Sequence, residues 1–163
     1  MREKGQFWTP AWLARVMAAW VTQGNSPVLF DPAVGPGTFF SAARQIGYKG
    51  TFAGFELHEA VLQEAVKPDL SNADLERIVI GDFISTQISR TYPAIISNPP
   101  YIRHHRLSPE CKEELRAMAI AALGFALDGR VGLHVFLLNV WRPHEQGRYC
   151  CVYGAAGCCR LLK

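Results

Sequence analysis

Asp31-Pro32-Ala33-Val34-Gly35-Pro36-Gly37-Thr38-Phe39 is the stretch on which the fold turns. Just before it runs Val28-Leu29-Phe30, a short apolar segment of the kind that forms a buried strand. Gly35 and Gly37 allow the backbone to approach a ligand closely, and a helical pattern continues from Thr38 to about Gln45. Strand, glycine-rich turn and helix in succession make the first unit of an open α/β sheet, with unpaired N–H groups expected at the helix N-terminus.

Downstream, the same alternation recurs. Thr51 to Phe55 predicts a second strand ending at Glu56, and Glu59 to Val66 a helix. Arg77 to Ile80 predicts a third strand ending at Gly81-Asp82, and Ala94 to Ser97 a fourth ending at Asn98. Short apolar strands alternating with helices indicate a mostly parallel sheet with helices on both faces. Ligands bind such sheets at the carboxyl ends of the strands, where Asp31, Glu56, Asp82 and Asn98 all fall. Ser108 to Leu123 reads as a further helix and His134 to Trp141 as the start of another.

Upstream, Thr9-Pro10 suggests a threonine N-cap with proline at the first helical position. Trp12, Leu13, Val16, Met17 and Trp20 recur at helical spacing, so these residues are expected to form the buried stripe of an amphipathic helix. Phe7, Trp8, Trp12 and Trp20 are accordingly expected to lie mainly in the core.

The ligand class follows from what the glycine loop lacks. Glu56 stands 19 positions beyond Gly37, where nucleotide-binding α/β folds carry the acid that holds a ribose. The dinucleotide fingerprint is incomplete, because Phe40 stands in place of the third glycine. Pro36 also removes an N–H that a pyrophosphate would use. The reading tilts from NAD toward a nucleoside ligand without phosphates, a description that S-adenosylmethionine fits.

Asn98-Pro99-Pro100-Tyr101 is the most specific motif in the chain. Two prolines hold the backbone extended and leave carbonyls without competing donors. The side-chain oxygen of Asn98 and the carbonyl of Pro99 can then accept from one exocyclic amine. Tyr101 offers a flat face to a base taken out of its stack.

With these motifs in order, the chain resembles the gamma-class DNA amino-methyltransferases over roughly residues 4 to 138. The resemblance implies a Rossmann-like class I methyltransferase fold, incomplete at its C-terminal side. Gly5 to Pro10 is similar to the block that closes over the methionine end of the cofactor, which puts Phe7 and Thr9 beside it. Asp31, Ala33, Gly35 and Gly37 fall in the family's glycine loop, although Val34 and Pro36 depart from its usual residues. Glu56 would hold the ribose and Leu57 pack on the adenine ring. Asp82 would accept from the adenine amine while Phe83 stacks on it. Asn98, Pro99, Pro100 and Tyr101 would form the catalytic block. The implied reaction is direct methyl transfer to adenine N6 in DNA, within a restriction-modification or related defence system. Neither a metal nor a covalent enzyme intermediate is needed. Other amines served by Asn-Pro-Pro-Tyr are rivals: cytosine N4, RNA guanine N2 and protein glutamine. A non-catalytic cofactor-binding remnant is another. Gly37 and Asn98 stand too close in sequence for a DNA-recognition domain between them.

The remaining features read more plainly. Net charge is +3, compatible with nucleic acid but weak as an argument for it. No apolar run approaches the roughly 18–20 residues of a membrane span, so a cytoplasmic protein without a membrane partner is expected. Arg103-His104-His105-Arg106 lacks a carboxylate that would complete a metal site. Four of the five cysteines (Cys150, Cys151, Cys158, Cys159) crowd into the tail as adjacent pairs, a poor zinc-ligand spacing. Residues 1–138 are expected to form the cofactor-binding and catalytic domain, and 139–163 an atypical tail. Gly147 to Gly157 is expected to lack the family's next apolar strand. Shifting the possible codons for Gln146 to Gly157 by one nucleotide permits a glycine pair and such a strand, which points to a frameshift near Leu138.

Overall fold

The structure is a computed structural model, and it describes residues 9–63, 69–83, 86, 92–98, 108–124, 149–153 and 159–162. In chain order the elements are α1 (Ala11–Val21), β1 (Val28–Asp31), α2 (Thr38–Gln45), β2 (Thr51–Glu56), α3 (Glu59–Gln63) and α4 (Asn72–Leu75). They continue as β3 (Ile78–Ile80), β4 (Ala94–Ser97), α5 (Pro109–Leu123), β5 (Tyr149–Tyr153) and β6 (Cys159–Leu162). The strands form one sheet in the order β3-β2-β1-β4-β5-β6, parallel throughout except for β6. The order runs outward from β1 in both directions.

The core forms where α1 and α2 cover the sheet. Leu29 and Phe52 from the strands meet Phe39 and Phe40 from α2, and the Phe40 and Phe52 rings stack with centroids 4.4 Å apart. On α1 the buried residues are Ala14, Met17, Ala18 and Val21. This corrects the expected stripe: Trp12 is 62% and Val16 60% exposed, so Trp12 is not a core aromatic. Two alanines one helical turn apart let α1 lie close to its neighbours, so the buried face follows the small residues and not the largest ones.

The helix start also differs from expectation. Pro10 occupies the N-cap with extended geometry (φ −55°, ψ 138°), and no side chain caps the helix. Thr9 is one residue too early to do so, and its hydroxyl is engaged by Asn98. At α5 the expectation of a helix from Ser108 holds, with the Ser108 hydroxyl accepting from the Cys111 N–H at 3.2 Å. Of the helix expected from Glu59 to Val66, the part beyond Gln63 lies outside the described residues, as does the one beginning at His134.

The tail brings a second correction. Tyr149–Tyr153 is a strand, paired in parallel with β4 from Ala94↔Tyr149 to Ser97↔Val152. A strand thus follows β4 within Gly147 to Gly157, where the family's next apolar strand was expected to be missing. Tyr-Cys-Cys-Val-Tyr is rich in residues that favour a pleated surface, and the open edge of β4 offers it a full row of backbone partners.

Candidate functional site

Because β1 to β4 are parallel, their carboxyl ends share one edge of the sheet. That edge brings together Asp31 from β1, Glu56 from β2, Gly81-Asp82 after β3 and Asn98 after β4. The glycine loop lies across it. Gly35 (φ 57°) and Gly37 (φ 69°) both sit in the left-handed region that disfavours side chains.

The N–H groups of this loop are already committed. Ala33 donates to Asp31 Oδ1 at 2.9 Å, and Val34 to the Phe55 carbonyl at 2.9 Å. Gly35 donates to Glu56 Oε2 at 2.8 Å, and Gly37 to the Val34 carbonyl at 3.2 Å. Pro36 has none to offer. The backbone from Ala33 to Gly37 is thus internally bonded. It is a turn stapled to β2, with Glu56 as the staple; Glu56 Oε1 also accepts from the His58 N–H at 2.9 Å. Gly54 permits this closeness, since a Cβ there would overlap the Asp31 carbonyl and a methyl group of Val34.

Beneath the loop, Asp31 is 1% exposed and Ser97 0%. Among the described residues, Asp31 Oδ2 and Ser97 Oγ lack any hydrogen bond of full geometry. Burial pushes the Asp31 carboxyl up to about 7; the Ala33 N–H and the nearby Ser97 hydroxyl pull it down, and the Glu56 charge raises it further. A buried acid with one oxygen unsatisfied is costly unless something cationic or protic meets it.

At the end of β4, Asn98 Nδ2 donates to Thr9 Oγ1 at 3.0 Å, joining residues 89 positions apart. Phe83 tilts against Phe30 (6.0 Å) and meets Phe55 edge-on (5.5 Å), closing the floor beside β2. Leu57 is 57% exposed at the rim, where an apolar residue gains by being covered. Asp82 is exposed, and its carbonyl accepts from Thr86 Oγ1 at 2.7 Å. Phe7, Pro99, Pro100, Tyr101 and the stretch from Arg103 to Arg106 lie outside the described residues.

Two buried acids, Asp31 and Glu56, at this edge favour a ligand with a positive charge and hydroxyl groups over a phosphate. S-adenosylmethionine has these properties, so the residues present fit it. An ammonium would meet Asp31 Oδ2, a ribose diol would meet the remaining lone pairs of Glu56, and an adenine ring would lie between Leu57 and Phe83. Sequence reasoning missed the stapling role of Glu56, the buried hydroxyl of Ser97 and the Thr9–Asn98 bond. A glycine in a buried strand was the available signal for Gly54. The long-range bond had none.

Comparison with known proteins bears on the same region. The model of the N-6 DNA Methylase family matches residues 1–123. The chain is 27% identical over 116 residues to the type II methyltransferase M.HincII of Haemophilus influenzae, covering 71% of this chain and 21% of that protein. It is 27% identical over 136 residues to M.XamI of Xanthomonas campestris pv. amaranthicola, covering 80% and 26%. The chain thus spans about a fifth to a quarter of the length of these curated relatives. Among solved structures, it is similar to a class I S-adenosylmethionine-dependent methyltransferase from Listeria monocytogenes. That match has a TM-score of 0.60 at 17% identity and covers 93% of this chain and 47% of the other. The fold is therefore that of the class I methyltransferases, of which this chain covers part. Among the described residues, no helix is long and apolar enough to cross a membrane, and no three His, Cys, Asp or Glu side chains group as metal ligands.

Proposed function

The chain belongs to the N-6 DNA methylase family, and from that premise we propose that it transfers the methyl group of S-adenosylmethionine to the exocyclic N6 amine of adenine in DNA. The observation that carries the reading is Asn98 at the carboxyl end of β4, its amide held by Thr9, on the same sheet edge as the buried acid of β1. The setting proposed is a cytoplasmic restriction-modification system, as the names of the type II relatives suggest. DNA would be engaged mainly by parts outside these 163 residues. Residues 1–138 form the proposed catalytic unit, with 139–163 as the tail whose strands extend the sheet.

S-adenosylmethionine, when bound, supplies a methyl group activated by a sulfonium. The side chains of this protein do the rest by position. Asn98 Oδ1 and the Pro99 carbonyl accept hydrogen bonds from the two N–H groups of the amine, which concentrates the lone pair on the nitrogen. On transfer the nitrogen would take the methyl group, S-adenosylhomocysteine would leave, and one amine proton would pass to solvent. Holding nitrogen and methyl group in line accounts for most of the acceleration. Tyr101 covers the flipped base, offsetting an extrusion cost of a few kcal/mol. Asp31, Glu56, Asp82, Leu57 and Phe83 hold the cofactor, with Phe7 and the rest of the N-terminal block over its methionine end.

The test is transfer of labelled methyl from S-adenosylmethionine to duplex DNA, followed by digestion to nucleosides. Label is expected in N6-methyladenine. Label in N4-methylcytosine, or in RNA or protein instead of DNA, would replace the proposed substrate. Failure of calorimetry to detect S-adenosylmethionine binding, with NAD bound instead, would remove the cofactor as well.

A further inference from the structure

We propose that Ser97 is a positioning residue for the cofactor-binding acid: its buried hydroxyl turns to the free oxygen of Asp31 and supports the carboxylate that an ammonium requires. The inference rests on the reading of Asp31 as the partner of the cofactor ammonium and goes beyond it.

Two polar atoms stand unmatched at neighbouring strand ends. β1 and β4 pair directly, Leu29 with Ala94 and Phe30 with Ile95, so Asp31 and Ser97 come to the same edge of the sheet. Asp31 is 1% exposed and Ser97 fully buried. Among the described residues, Asp31 Oδ2 and Ser97 Oγ make no hydrogen bond of full geometry. A buried hydroxyl without its bond costs stability, and alanine at position 97 would avoid that cost. The hydroxyl is explained if its bond is made in another state of the protein.

That state is the ionised one. Burial acts most on the Asp31 carboxyl and raises it to about 7; the Ala33 N–H lowers it, the Ser97 hydroxyl lowers it too, and the Glu56 charge raises it again. Glu56 is the charged group that bears on Asp31 from β2, and α1 and α2 bury no titratable side chain against the sheet. Among the described residues, Ser97 is thus the side chain that favours ionisation. A hydroxyl can accept from the neutral acid or donate to the carboxylate. The second bond is to a charge and is the stronger, so the hydroxyl favours the carboxylate whichever way it first points. Rotation about its own bonds is all that Ser97 needs, with β4 in place. When the cofactor arrives, its ammonium meets Asp31, the carboxyl proton passes to solvent, and Ser97 donates to the charge that remains.

The closing experiment compares two ligands by calorimetry between about pH 5 and 8.5. S-adenosylhomocysteine carries the ammonium; 5′-methylthioadenosine carries the nucleoside without it. His58, exposed beside Glu56, would act on both ligands alike, so the difference between them isolates Asp31. In the wild type, S-adenosylhomocysteine should bind more weakly than its partner ligand predicts as pH falls through about 7. In Ser97→Ala that break should move up by about one unit, with S-adenosylhomocysteine about tenfold weaker near pH 6 and the loss fading toward pH 8.5. The ligand-free variant should melt no lower than the wild type at pH 6, since it loses a hydroxyl that has no bond there. A break unmoved in Ser97→Ala overturns the proposal. So does equal weakening of both ligands at every pH, or a lower melting temperature without a moved break, either of which would make Ser97 a packing residue. Unchanged S-adenosylhomocysteine binding in Asp31→Asn would instead defeat the reading of Asp31. A pH break lost in Asp31→Asn but unshifted in Ser97→Ala would defeat only the role of Ser97.

Discussion

The two ends of the sheet treat charge in opposite ways. At the amino end of β2, Arg44 is saturated by the protein itself. Its guanidinium donates to Asp74 and to the carbonyls of Tyr48 and Gly50, and its plane lies 4.2 Å from the centre of the Phe52 ring. The Arg44 bond holds the Asp74 carboxyl below its usual range. Tyr48 closes the cluster: its hydroxyl donates to the Ser26 carbonyl at 2.9 Å, and burial pushes its pKa up to about 12. At the carboxyl ends, Asp31 and Ser97 are more deeply buried, and among the described residues Asp31 Oδ2 and Ser97 Oγ lack a hydrogen bond of full geometry. Saturation marks architecture, whereas a buried acceptor left open marks a place built for something that arrives later. Substitutions at one end should therefore cost stability, and at the other function.

The largest effect expected is at the functional end. Asn98→Ala should lower methyl transfer by about 10²–10³-fold, the usual cost of removing a preorganised partner of the reacting group. Cofactor affinity and melting temperature should barely move. A comparable loss of Tm would show that Asn98 belongs to the architecture, breaking the division.

Arg44→Met tests the other end. It leaves Asp74 and two carbonyls without their donor, and the cost should be about 2 kcal/mol, or roughly 4–8 °C in Tm. Calorimetric titration should find cofactor Kd within twofold of wild type. The sign of the pH effect follows from the lowered Asp74 carboxyl. Its contribution is present above the unfolded value of 3.8 and lost as pH falls through the folded one. The wild type should lose its advantage over Arg44→Met in acid, and a constant gap down to pH 2 would remove the ion pair from the account.

Glu56→Gln sharpens the comparison, because Glu56 serves both ends of the argument. It staples the glycine loop through Gly35 and carries the proposed ribose contact. A Gln oxygen can still accept from one loop N–H, so stability should fall by less than about 1 kcal/mol. Cofactor affinity should fall about tenfold, since bonds to a charged group contribute about 1.5–3 kcal/mol. Equal affinity in wild type and variant would leave Glu56 a staple alone.

At Asp31 the expected effect depends on pH, and its direction is the telling part. An acid raised to about 7 holds a proton in the folded, cofactor-free protein that the unfolded chain has already lost. That stabilisation is complete below about pH 4 and declines as pH rises to about 7. Asp31→Asn should remove the slope and be the more stable protein at pH 8, while binding the cofactor more weakly. Its binding should release a proton in wild type near pH 6, measurable as a buffer-dependent heat. A flat stability profile in wild type, or identical profiles in the two proteins, would show that Asp31 is satisfied within the fold.

Much of this was legible in the sequence, and particular residues show why. The strands β1, β2 and β4 announced themselves as short apolar runs with polar ends, because burial on both faces leaves no other pattern. Asp31, Glu56 and Asn98 followed from that placement alone. Parallel strands bring their carboxyl ends to one edge whatever the side chains between them. The glycine loop and the Asn-Pro-Pro-Tyr motif are local in sequence, and so is the physics that shapes them.

What the sequence could not determine depended on partners far along the chain. Trp12 looked like core and is exposed, because the spacing of apolar residues does not say which face a neighbouring helix can approach most closely. Thr9 looked like a cap and is held by Asn98, 89 positions away. The glycine loop is tied to the next strand through Glu56 and the Phe55 carbonyl, which its own sequence does not announce. In each case local pattern set what a residue could do, and packing across the sheet edge decided which of those it does. Hydrogen bonds and close contacts act over a few ångströms of space without regard to distance in sequence.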